Sequence, residues 1–244
     1  MSEAVITLDH VSASERNQTL VEDISFTVQR GEAVALVGSN ASGKGLVLRL
    51  CAGLEAPASG TVRVLGADPA RATEEQLLGL RQQVGFVFAK PALISNMTVF
   101  NNVALPLRYH TALPETEIQE RALARLTECG VDAFRDRMPS DLTLGDARQA
   151  ALARAMVMDP DILCVDEVLL GLDADELVRL RKILERYRKA GRPTIVATVN
   201  APTNLLRVMD RLVLLRDGRL VATCPPAEAS QVVDPMVQDF FGSQ

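Results

Sequence analysis

Apolar positions recur with two different spacings along the 244 residues, and the changes of spacing divide the chain into elements. Residues 6–11 and 20–28 alternate apolar with polar, which predicts two half-buried strands joined by a polar turn at 14–18, Ser-Glu-Arg-Asn-Gln. Ala33-Val-Ala-Leu-Val37 is continuously apolar and predicts a fully buried strand, and a helical pattern follows at 46–54. Glycines bound a further strand at 60–66, a short helix is expected at 73–83, and the mostly apolar 84–88 reads as another buried strand.

Between 90 and 158 the texture is helical. Helices are expected at 97–109 and at 115–129, the second with Ile118, Ala122 and Leu126 on one face and Gly130 as its stop. Leu142-Thr-Leu-Gly-Asp146 reads as a turn leading into a strong helix former at 147–156. Residues 160–167 form an apolar strand ending in Asp166 and Glu167. Residues 175–190 form an amphipathic helix with Leu177, Leu180, Ile183, Leu184 and Tyr187 inward, closed by Gly191. A buried strand at 194–199, a helix at 202–208 and a hairpin of 211–215 with 220–223, turning at Asp217-Gly218, complete the pattern. Strands alternating with helices predict an α/β fold around a parallel sheet, with its site at the carboxyl ends of the strands.

That is where the candidate chemistry lies. Residues Gly38, Ser39, Asn40, Ala41, Ser42, Gly43, Lys44 and Gly45 join the strand at 33–37 to the following helix. A G-x-x-x-x-G-K turn in this setting is a cradle of backbone N–H groups for phosphate, backed by one ammonium charge. The hydroxyl residue that ends the motif and meets Mg²⁺ is replaced by Gly45. This ion keeps waters readily, so the loss weakens a metal site without abolishing it. Asp166 would hold Mg²⁺ through water and Glu167 would orient or deprotonate an attacking water, and the alternative role for the pair is to N-cap the next helix.

Composition narrows the partners. A net charge of −5 with no basic cluster excludes a general nucleic-acid binder. No stretch approaches the ~18 apolar residues of a membrane span, and the first ten residues carry no secretory signal, so work at a membrane requires a partner. Cys51, Cys129, Cys164 and Cys224 are widely spaced, without a histidine pair nearby, and read as buried free thiols of a reducing compartment.

The phosphate loop, the Leu142–Asp146 turn before Ala150-Ala-Leu-Ala-Arg-Ala155, the strand ending Asp166-Glu167, and Gly171-Leu-Asp173 follow one another in an order that resembles an ATP-binding cassette (ABC) transporter ATPase over essentially the whole chain. Residues 97–108, 138–142 and 234–240 are similar to the cassettes of Mla or MCE-type bacterial lipid transporters. The resemblance implies a P-loop NTPase (RecA-like) core with a mostly parallel sheet, an N-terminal antiparallel β subdomain and an inserted helical subdomain. It divides the chain into an α/β core with its β subdomain at 1–89 and 159–230, a helical signature subdomain at 90–158 and a tail at 231–244. It implies ATP and Mg²⁺ as ligands, a permease and an MCE-domain protein as partners, and a cytoplasmic location at the inner face of the inner membrane. It also implies a homodimer or heterodimer in which each ATP lies between one subunit's phosphate loop and the other's signature turn. By the same analogy Val232, Val233, Met236, Val237, Phe240 and Phe241 form either a face packed on the parent domain or an arm docked on a neighbouring subunit.

Against that pattern the chain carries several replacements. Ala41 stands for a glycine common in the family, a change whose cost depends on a positive φ. Ala89 replaces the glutamine that meets Mg²⁺ and water, and Val199 replaces the histidine that contacts γ-phosphate; His10 and His110 both lie far upstream of Asp166. Leu144 replaces a signature glycine, Asp146 adds negative charge to the same turn, Glu15 replaces the aromatic that stacks on adenine, and Val168 and Leu169 replace the usual Pro and Thr or Ser. Phe26, the remaining aromatic before Gly38, is assigned to the core. The expected function is a cassette subunit of a lipid transporter with weak or absent hydrolysis. The rivals are a slow but real ATPase and a soluble regulator without a permease.

Overall fold

The computed structural model describes residues 3–16, 18–167, 170–191, 193–201, 203–234 and 237. Strands β1 (Ala4–Glu15) and β2 (Gln18–Gln29) pair antiparallel. They extend into the expected polar turn, because Ser14 and Glu15 face Thr19 and Gln18 across the ladder. Next come β3 (Ala33–Val37), α1 (Lys44–Cys51) and β4 (Ser59–Val64), and β4 pairs antiparallel with β1 to close a three-stranded sheet of order β2-β1-β4.

α2 (Glu74–Gln83) begins at a capping box in which Thr73 Oγ1 accepts from the Gln76 N–H and the Gln76 side chain accepts from the Thr73 N–H. β5 (Val84–Val87) is an edge strand, and the expectation of a buried strand is corrected in part, since Gly85 and Val87 are buried while Val84 and Phe86 are only half-buried. α3 (Val99–His110), α4 (Glu115–Cys129) and α5 (Leu144–Met156) then form the helical insertion, with α4 ending at Gly130 in the left-handed region, φ 72°. α5 starts three residues before the expected 147. Thr143 caps it by accepting from the Asp146 N–H, so the expected turn is the first turn of the helix.

β6 (Ile162–Val165), α6 (Ala174–Gly191), β7 (Thr194–Val199), β8 (Arg211–Arg216) and β9 (Arg219–Cys224) complete the second sheet, of order β5-β6-β7-β3-β8-β9, parallel except for β9. The helix expected at 202–208 is a 3₁₀ turn at Asn204–Val208, capped by Thr203, and Pro202 lies outside the described residues. Alternate residues of the central strands face opposite ways. Val34, Leu36, Cys164, Val196 and Val213 pack against α1 and the antiparallel sheet. Ala35, Val37, Leu163, Ala197 and Leu214 pack against α3, α4, α5 and α6. Burial on both faces is what the unbroken apolar runs encode.

Phe26 lies in the core and all four cysteines are buried and free. Of the tail residues, Val232 and Val237 pack on the parent core and Val233 is exposed, while Met236, Phe240 and Phe241 lie outside the described residues. Among the described residues no helix is long and apolar enough to cross a membrane.

Candidate functional site

Register places the candidate residues together. Val37 of β3 pairs with Val199 of β7, Val165 of β6 with Ala197 of β7, and Val87 of β5 with Val165, so the phosphate loop, Asp166, Val199 and Ala89 all emerge at one end of the parallel sheet.

The loop keeps its shape for local steric reasons. A Cβ on Gly38 would meet the Leu215 carbonyl oxygen at 2.4 Å, and one on Gly43, whose φ is 82°, would meet the Leu20 carbonyl oxygen at 2.6 Å. Both positions therefore require glycine. Ala41 does not adopt a positive φ, so alanine fits there without backbone strain. Ser42 N–H donates to Ser39 O at 3.1 Å, and Asn40 Oδ1 accepts from the Asn200 side chain at 3.1 Å. Inside the loop the fully buried Ser42 hydroxyl has no hydrogen-bond partner among the described residues. Its oxygen packs under the loop, 2.4 Å from where a Cβ on Gly38 would fall, so what an anion would meet is the glycine-shaped loop and the Lys44 ammonium.

Lys44, only 2% exposed, donates to Ser39 O at 2.9 Å and pairs with Glu167 Oε1 at 3.2 Å. Glu167 has φ of 40° and its N–H donates to Thr198 Oγ1 at 2.7 Å; the same hydroxyl donates to Asp166 Oδ1 at 2.8 Å. Thr198 thus ties the Asp166 carboxylate and the Glu167 backbone to β7. Burial raises the Asp166 pKa, and the nearby charge of Glu167 adds to the rise, against the opposing bond from Thr198 and the charges of Arg49 and Lys44. The capping alternative for the pair is excluded, since α6 starts at Ala174 and is capped by Asp173, which accepts from the Glu176 N–H.

The donor set fits a divalent cation poorly. Asp166 is bonded to Thr198, Glu167 to Lys44, and Gly45 and Ala89 offer no side-chain oxygen. Among the described residues no cluster of three acidic, histidine or cysteine side chains is placed to hold a metal.

At the start of α5, Leu144 is 46% exposed and its Cδ2 lies 3.5 Å from the position of a Cβ on Gly171. A Cβ on Gly145 would fall 2.1 Å from Glu176 Oε1. Asp146, expected to present its charge, accepts a hydrogen bond from Thr143 Oγ1 at 2.7 Å. Glu15 is paired with Arg49 Nη2 at 3.1 Å, and His10 and Asp23 pair on the surface. His110 stacks edge-on against Tyr109. Buried Arg148 reaches Ala89 O at 3.5 Å, while its Nε and Nη1 have no partner among the described residues. Val168 and Leu169 lie outside the described residues.

A family model described as ABC transporter matches residues 21–169, more than half of the chain. The chain belongs to the ABC transporter family. The intermembrane phospholipid transport system ATP-binding protein MlaF of Escherichia coli (strain K12) is 32% identical over 97% of this chain and 88% of its own length. The corresponding Haemophilus influenzae protein is 28% identical over 99% and 91%. Among solved structures, a dimeric bacterial ABC transporter cassette superposes with a TM-score of 0.84 at 25% identity, covering 90% of this chain and 98% of that one. The expected P-loop NTPase fold, with its mostly parallel sheet, antiparallel β sheet and helical insertion, is therefore this chain's fold.

Within this cassette, four neighbours of the candidate site are not marked by the sequence pattern. Thr198, Asn200, Arg49 and Arg148 approach the site through strand register and helix packing, and no local motif marks them.

Proposed function

We propose that this cassette is the nucleotide-binding subunit of a bacterial lipid-transport complex of the Mla or MCE type, binding ATP and hydrolysing it weakly or not at all. The observation that carries the reading is the contrast at one site. Lys44 and the glycine-shaped loop are intact. The positions that would act on terminal phosphate and water carry the methyl of Ala89, the isopropyl of Val199 and, in the signature turn, the isobutyl of Leu144. Each lost transition-state contact typically costs about 10²–10³ in rate, so even with strong non-additivity a turnover of about 10 s⁻¹ falls below ready detection. Gly38 to Gly45 would hold the phosphates, Asp166 would meet any metal through water, and Glu167 is the residual candidate for orienting water.

The partners follow from likeness to MlaF and from one surface. A permease would anchor the subunit at the cytoplasmic face of the inner membrane, with an MCE-domain protein in the same complex. A cleft of about 290 Å³ between edge strand β5 and the helical insertion, lined by Phe86, Phe88, Pro106, His110 and Arg154, suits an apolar segment of such a permease. Arg154 shapes its wall by donating to the carbonyls of Pro91 and Ala92. In a dimer with a competent cassette, both composite nucleotide sites would carry a defect from this chain. The rival, a slow ATPase, draws on the retained Lys44, Asp166 and Glu167. A phosphate-release assay on purified protein with Lys44→Ala and Glu167→Gln controls decides: no turnover above the controls is expected, and Mg²⁺-dependent turnover lost in both variants would overturn the proposal.

A further inference from the structure

Gly45 and Arg49 lie one helical turn apart on α1, and side chains on a helix lean back over the preceding turn. The Arg49 guanidinium accordingly covers Gly45. A Cβ at position 45 would sit 3.8 Å from Arg49 Nη1 and 3.9 Å from each of the two Asp166 carboxylate oxygens. The space left by the absent side chain is therefore bordered by a permanent cation on one side and by Asp166 on the other.

The guanidinium is held in place by its other nitrogens. Nη2 donates to Glu15 at 3.1 Å and Nε faces Glu55 at 3.5 Å, while Nη1 makes no hydrogen bond among the described residues. Both carboxylates are half-exposed, so solvent screens these pairs and they yield readily to a stronger anion. The planar fork of an arginine matches phosphate oxygens. A fixed positive charge here also opposes a divalent cation through like-charge repulsion, at a place where the chain supplies one carboxylate and no hydroxyl.

We propose that the site takes a nucleoside di- or triphosphate without a divalent cation, with Arg49 and Lys44 together supplying the positive charge. This rests on the nucleotide-binding reading above and deepens it. On binding, a phosphate oxygen takes the place of Glu167 on Lys44, and Nη1 of Arg49 meets the phosphates beside Gly45.

The test is calorimetric titration of the full chain with ATP and ADP, in EDTA and in excess Mg²⁺. Dissociation constants in the two buffers should agree within about threefold, and Arg49→Gln should weaken binding in EDTA by about tenfold or more, because a charge-assisted contact is lost. Arg49→Lys should retain most of the affinity, and unchanged melting temperatures show that both variants are folded. Gly45→Ser, which adds a hydroxyl between Asp166 and the guanidinium, should make binding respond to Mg²⁺. Binding that requires Mg²⁺ in the wild type, or Arg49→Gln binding like wild type in EDTA, overturns the role of Arg49 and leaves the nucleotide reading standing. Absence of binding in both buffers overturns the nucleotide reading and this inference with it.

Discussion

Lys44 is nearly inaccessible, and its charge is answered inside the chain by the Ser39 carbonyl and the Glu167 carboxylate. The carboxylate sits on the ammonium that a phosphate would use, so it competes with the ligand. Glu167→Gln should tighten ATP binding by about three- to tenfold, since the empty site loses an ion pair that the filled site does not need. A titration showing weaker binding in that variant would refute the competition. Asp166 makes a second prediction. Burial favours its neutral form, so the native state binds a proton over a range of pH in which the unfolded chain has released it. The contribution to stability is therefore fully present at low pH and is lost as pH rises through the folded-state pKa. At neutral pH Asp166→Asn, which keeps an acceptor for Thr198, should melt higher than wild type, and the gap should shrink on acidification. An equal gap at both pH values would show that the charge is not the cause.

At the scale of elements, legibility followed locality. α4 runs over Glu115–Cys129 as expected, because its apolar spacing and its left-handed Gly130 are written in one contiguous stretch, 115–130. The start of α5 was misplaced because Leu144-Gly145-Asp146 has no apolar period and a glycine there reads as a turn. The informative signal was Thr143 with an acidic residue three positions on, an N-cap. The phosphate loop and the paired carboxylates were legible for the same local reason. Thr198 and Arg49 were not, since one reaches Asp166 through parallel register and the other covers Gly45 through the lean of a helical side chain. Gly145 illustrates the difference: it admits the Glu176 carboxylate, which also accepts from the Asp173 N–H and so closes the cap of α6. Two substitutions separate cap from contact. Thr143→Ala should cost about 1 kcal/mol and lower the melting temperature by about 2–4 °C. Gly145→Ala should displace Glu176 and destabilise the protein, and Glu176→Ala in the same chain should remove most of that penalty. Additive losses in the double variant would mean that the two residues do not share one contact.

Across the whole molecule, the parallel sheet delivers four strand ends to one site, while its β5 edge and the helical insertion leave an open cleft beside the same loop. Nucleotide site and cleft thus share the segment from Val87 to Ala92: the Val87 carbonyl accepts from the Asp166 N–H, Ala89 reaches Arg148, and Pro91 and Ala92 are held by Arg154. A partner in the cleft would therefore meet a segment tied to the site by the Asp166 N–H and by the side chains of Arg148 and Arg154, independently of the absent glutamine. Phe88, 42% exposed with its ring 4.6 Å from Phe86, presents apolar surface at the mouth of that cleft. Because the ring is already half in water, Phe88→Asp should leave the melting temperature within about 2 °C of wild type, whereas a buried charge in a docked interface costs several kcal/mol. Expressed with its membrane complex, the variant should lose the co-purifying permease while its nucleotide affinity stays unchanged. A permease that still co-purifies with Phe88→Asp would place the membrane partner on another face of the cassette.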